Sequence, residues 1–445
     1  MTRKRPSSDT KQAFLLVEIS GILVHENTPK NGLLMIRHQV YFDVLGSMKE
    51  DSASWRSTFA GLSVLRLVDA YADTGSAPAS PAGWAQLHSV RAAIEAVSEG
   101  DPVRGVLTSV LDGVIQRNAV DDAVCASLLA YGRSLDYEAS WGLATDVFST
   151  VAKLARPEKN ARLAVEAHTA VGGAARRNGD WDASARAYSQ AAYIADTLGD
   201  RAGLLKVQIG IANTYVAKGN LPQAETILDD VIVQARDQEL AEIQGMALHS
   251  RAAVAQKRGQ YAEGLKLAYD ALKHTVKPAT RDFVLEDIAA IFTDLGMRDS
   301  ARDAHLILVA TAETKLVRWT ATVNLLELAS IDGMEDAFDS YANQLASAET
   351  GPWVRAHFLL FLGEGLHRLG RTARAEETLE EANAFSETNQ FHEIAFKAQS
   401  ALSAVRSTPR VVTPFVVPPT WVPDDVASVV RAVSELRKTA EAAAS

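Results

Sequence analysis

From about Trp84 to Arg406 the apolar residues recur at helical spacing, and short turns opening on glycine interrupt them at regular intervals. Gly179-Asp180-Trp181 is followed by Ser184, five positions after the glycine. Gly219-Asn220-Leu221 is followed likewise by Ala224, Gly259-Gln260-Tyr261 by Gly264, Gly296-Met297-Arg298 by Ala301 and Gly370-Arg371-Thr372 by Ala375. Asp332-Gly333-Met334 is followed by Ala337, one residue out of phase. The six glycines are 40, 40, 37, 37 and 37 residues apart. Upstream, Leu135 to Ser140 mirrors Gly179 to Ser184 with leucine in place of glycine, and Gly100-Asp101-Pro102 opens a further turn 35 residues earlier. Eight turns predict about eight helix pairs. Glycine takes the left-handed conformation that ends a first helix, and small residues on both helices let two backbones approach. One pair cannot bury its apolar face, so the pairs must stack.

Within a pair the small and bulky positions repeat. The Gly219 unit has Ile211, Ala212 and Tyr215 before the turn, then Ala224, Leu228 and Val231. The Gly370 unit has Leu362, Gly363 and Leu366, then Ala375, Leu379 and Ala382; the Gly179 unit has Val171, Gly172 and Ala175, then Ser184, Tyr188 and Ala191. The Gly259 and Gly296 units match less closely, and the Gly333 unit, with Leu328 and Tyr341, departs most. This pattern resembles the tetratricopeptide-repeat family, in the longer-period form of bacterial regulatory and adaptor proteins. The resemblance implies an all-α, right-handed superhelical solenoid with an N-terminal cap and a C-terminal helix.

The ends differ from the array. Residues 1–10 are polar and expected to be disordered. Residues 11–80 read as a capping region, helical or with a β-hairpin at 11–48, because periodicity alone does not separate the two for Phe14–Val24 and Leu33–Leu45. The solenoid spans 81–406. Five prolines between Pro409 and Pro423 make 407–423 an extended linker, and 424–445 reads as an amphipathic helix with Val426, Val429, Val430, Val433 and Leu436 on one face. Two alternatives stand for this tail: it folds back to cap the array, or it docks on a partner or a second copy of the chain.

Composition narrows the function. A net charge of −10 over 445 residues disfavours a general nucleic-acid surface, which wants a basic face. Arg3, Lys4 and Arg5 precede an apolar run, but Glu18 interrupts it and no small-x-small cleavage site follows. No apolar stretch is long enough to cross a membrane. The single cysteine, Cys125, fits a reducing cytoplasm and an ordinary packing role. Histidines are scattered without metal-ligand spacing, there is no phosphate loop, and Gly363-Glu364-Gly365 is explained by the repeat. No cofactor, metal or enzymatic activity is expected.

The family's pattern places groove positions two, three, six, ten and thirteen residues before the turn glycine. These positions give Arg176 and Arg177, Lys206 and Asn213, His249 and Lys257, and then Glu286 in a unit that turns acidic. The asparagine with nearby cations resembles the family's grip on an extended peptide, the amide bonding its backbone and the cations its carboxylate. The expected function is a scaffold or adaptor holding a protein or peptide in the concave groove. The alternative is a structural subunit contacting partners through its N-terminal region and C-terminal tail.

Overall fold

A computed structural model describes residues 36–74, 81–348, 350–389, 391–407 and 423–444. Among them are twenty helices and no strand. The chain divides into two compact units, one ending at Val124 and one running from Cys125.

The first unit holds α1 (Gln39–Ser47), α2 (Ala53–Thr74), α3 (Pro81–Glu95) and α4 (Pro102–Arg117). α2 is its centre and packs against the other three, burying Val64, Leu65, Leu67, Val68 and Tyr71; Tyr41 of α1 is buried as well. Asp101 starts α4 by accepting the Val103 N–H at 2.9 Å, with Pro102 at a position where the missing N–H costs nothing. The part of 11–48 that is described is helical from Gln39; Phe14–Val24 lies outside the described residues.

The second unit is seven helix pairs followed by two single helices. The pairs are α5 (Asp122–Tyr137) with α6 (Trp141–Leu154), α7 (Ala161–Arg177) with α8 (Trp181–Thr197), and α9 (Arg201–Ala217) with α10 (Leu221–Asp237). Next come α11 (Ala241–Lys257) with α12 (Tyr261–His274) and α13 (Pro278–Asp294) with α14 (Arg298–Thr311). The last pairs are α15 (Lys315–Ile331) with α16 (Glu335–Ser347) and α17 (Pro352–Arg368) with α18 (Thr372–Thr388), followed by α19 (His392–Ser407) and α20 (Asp424–Ala444).

All six turn glycines have positive φ, between 68° and 79°. The leucine-for-glycine register upstream is corrected. Leu135 lies within α5 and is buried, and the left-handed residue is Ala139 at φ 57°. The series therefore runs 139, 179, 219, 259, 296, 333, 370, and Trp141 is the counterpart of Trp181. The Gly333 unit is also in phase. Its fifth position is Phe338, fully buried, where other units have a small residue. The ring is accommodated because Gly365 on the next first helix has no side chain: a Cβ there would lie 2.3 Å from the Phe338 ring.

The change of period has a simple cause. Every first helix from α7 to α17 has 17 residues. The second helices α8 and α10 also have 17, whereas α12 and α14 have 14 and α16 has 13. Shortening the outer helix removes about one turn and leaves the inner helices aligned.

The C-terminal helix folds back within the chain. α20 packs on α12 and α14. Val426, Val429 and Val433 join their core, and Arg437 donates to Asp303 of α14 at 3.3 Å. It covers outer helices in the middle of the array rather than capping its last pair. Residues 408–422, which hold most of the Pro-rich segment, lie outside the described residues.

Candidate functional site

First helices of successive pairs touch one another, α7 with α9, α9 with α11 and α15 with α17 among them, whereas second helices pack on first helices. The first helices therefore line the inner, concave face, and that face is the candidate site.

Its floor is cut by glycine. The Tyr188 ring, from α8, passes between α7 and α9, where a Cβ on Gly172 would meet it at 2.8 Å and one on Gly210 at 2.3 Å. The same exchange, seven residues before and nine after the left-handed turn residue, recurs at the turns of Ala139 and Gly370. Gly132 faces Phe148 and Gly363 faces Leu379 in the same way. Ser184, at the small position of α8, donates to the Gly172 carbonyl at 2.9 Å and ties the pair together.

At three junctions of the concave face, neighbouring first helices are joined by polar side-chain pairs. Between α5 and α7, Arg133 pairs with Glu166, and Arg177 Nε donates to Asp136 at 3.0 Å. Between α11 and α13, His249 Nε2 and Asp287 are 2.6 Å apart, and Gln256 donates to Asp294 at 2.7 Å. Between α15 and α17, Arg368 donates to Ser330 at 3.0 Å and lies 3.8 Å from Glu327. The helix α9 stands apart: among the described residues none of its side chains makes an ion pair or a side-chain to side-chain hydrogen bond. It nevertheless presents Lys206 and Asn213, both half-buried. The Gln208 amide oxygen of α9 is buried with no hydrogen-bond partner.

The expected site residues thus separate. Arg177 and His249 are committed to carboxylates. Arg176 is half-buried, its Nε has no hydrogen-bond partner, and burial lowers its guanidinium pKa, an effect opposed by the adjacent Tyr188 hydroxyl. Lys257 is exposed; Glu393 of α19, held below the usual carboxylate range by its hydrogen bond from Lys397, also feels the Lys257 charge. Glu286 lies on α13 beside Asp287, and burial pushes its carboxyl up to about 8. Sequence reasoning missed Tyr137. Once Ala139 is taken as the turn residue, Tyr137 falls two positions before it, on the inner face. Its ring stacks on Phe283 of α13, centroids 6.2 Å apart. Close by in the chain, Gly351 passes near the Glu138 carbonyl, where a Cβ would lie 3.5 Å away. The inner face of α5 therefore meets that of α13 across the array. Three or more metal-ligating side chains do not gather anywhere among the described residues.

Left-handed turn residues at fixed intervals, first helices of constant length and a repeated small-against-bulky contact define the architecture. The fold is a tetratricopeptide-like repeat array. No protein-family profile and no curated protein matches the chain. Solved structures similar to it include NprR in complex with its cognate peptide NprX, at 12% identity and a TM-score of 0.43, covering 90% of this chain and 100% of that one. A Rap protein complexed with competence and sporulation factor is similar at 14% identity and a TM-score of 0.33, covering 79% and 99%. The tetratricopeptide-like repeats of a Podosopora anserina kinesin light chain are similar at 15% identity and a TM-score of 0.29, covering 53% and 98%.

Proposed function

We propose that this repeat array is a binding scaffold that holds an extended peptide, free or part of a partner protein, along its inner face over α7, α9 and α11. The observation that carries the reading is the interruption of the polar ladder at α9. Buried polar groups are ordinarily paired, and a half-buried polar side chain without a partner is suited to take one from a ligand. Asn213 offers an amide that both donates to and accepts from a peptide backbone. Lys206, Arg176 and Lys257 supply positive charge for an acidic side chain or a terminal carboxylate. The acidic inner face of α13 gives the channel opposite sign at its far side, which orients a charged peptide.

The test is selection from a synthetic library of hexapeptides, followed by fluorescence anisotropy on the full chain. Asn213→Ala and Lys206→Glu are expected to weaken the selected peptide tenfold or more while leaving the helical circular dichroism unchanged. Undiminished binding by both variants contradicts the reading. A second reading, association with a partner through α19, is favoured by Phe396, which is 71% exposed. In that case Phe396→Ser, and neither inner-face variant, abolishes association.

A further inference from the structure

Three carboxylates near Glu286 on α13 are already engaged: Asp282 accepts the Glu313 N–H at 3.0 Å, Asp287 holds His249, and Asp294 accepts from Gln256. Glu286 has no hydrogen bond and no ion pair among the described residues. It is only half-buried by accessible surface, yet protein surrounds it almost completely at longer range. Phe283, one turn before Glu286, stacks on Tyr137 of α5, which brings a second inner helix to this stretch of α13.

We propose that Glu286 is the receptor for a cationic group of the bound ligand, an ammonium or a guanidinium. The proposal rests on the inner-face reading of the function and deepens it by naming the chemistry of one ligand group. An enclosed carboxyl without a partner is costly to keep, and the cost is removed when a ligand supplies the missing donor. The sign of that donor follows from the surroundings. Asp287 and Asp282 add negative potential at Glu286; His249 is held by Asp287, and Arg281 acts on Asp282 rather than on Glu286. A neutral donor would satisfy a hydrogen bond but would leave that potential uncompensated. A cation meets both needs, and in a site shielded from water its attraction to the carboxylate is strong. The rise of the Glu286 carboxyl to about 8 agrees with this, because burial and then the charges of Asp287 and Asp282 disfavour its anion, which a ligand cation would favour.

A free-amino hexapeptide library selected on the full chain supplies the probe. The selected peptide is then compared with three analogues, N-acetylated, Lys→norleucine and Arg→citrulline, on wild type and on Glu286→Gln. Glutamine copies the shape of the protonated acid, so this variant is expected to fold; Glu286→Asp, which keeps the charge on a shorter arm, is the second variant. The expected result is that one analogue loses tenfold or more on wild type and less than twofold on Glu286→Gln, with Glu286→Asp between them. The analogue that does so identifies the source of the cation as amino terminus, lysine or arginine. If every analogue binds wild type within twofold, or loses as much on Glu286→Gln as on wild type, the proposal is overturned, while a loss on Asn213→Ala keeps the inner-face reading standing. If neither Asn213→Ala nor Lys206→Glu weakens binding, or no peptide is selected, that reading falls and the proposal falls with it.

Discussion

The repeat rests on single residues that trade volume across a contact. Gly210 lends its missing side chain to Tyr188, so Gly210→Ala forces the ring or the backbone to move. Overpacking of this kind costs about 1–3 kcal/mol, read as a lower urea midpoint, and Tyr188→Leu in the same background should recover part of it. Equal stability of Gly210→Ala and wild type would show that α7 and α9 separate freely. His305 is the other residue with a large local effect. It lies 2% exposed in α14, its Nδ1 has no hydrogen-bond partner, and burial lowers its pKa from 6.5 to about 4. As pH falls through 6.5 the unfolded chain takes up a proton that the folded chain refuses until about 4. Stability is full above that window and declines across it, by up to about 3 kcal/mol. Urea melts at pH 7 and pH 4.5 should therefore differ less for His305→Leu than for wild type. An unchanged difference would place the acid sensitivity elsewhere.

At the scale of elements, the inner helices and their turns were legible because glycine and small residues serve one local geometry, which sequence records directly. Reading stopped where a different residue met the same need. Ala139 adopts the left-handed turn without being glycine, so the register upstream slipped by four residues and Tyr137 was hidden. Phe338 took a position reserved for small side chains, and only its distant complement, Gly365, reveals why. The commitments of Arg177 and His249 were not legible either, since their partners are 41 and 38 residues away. The sequence of α20 is equally compatible with folding back and with docking elsewhere, because an amphipathic helix does not record what it covers. Its valines now predict a local response. Val433→Asp should release α20, raise amide hydrogen exchange in α12 and α14, and leave α7 and α9 unaffected. Unaltered exchange in α12 and α14 would mean that α20 contributes nothing to their protection.

At the scale of the molecule, the chain from Cys125 onward presents two different surfaces. Outside, α20 already covers part of the second-helix layer, and Tyr193 of α8 stands 67% exposed. Inside, a ladder of polar pairs is broken at α9, and the face of α13 is closed over by Tyr137. The proposed ligand site is on the inner surface, and site-specific photo-crosslinking tests it most directly. A benzoylphenylalanine is introduced at Asn213, and in a separate protein at Tyr193, and each is irradiated with the selected peptide. A covalent adduct is expected at Asn213 and none at Tyr193. An adduct at Tyr193 with Asn213 silent would contradict the proposed site and move the binding surface to the outer helices.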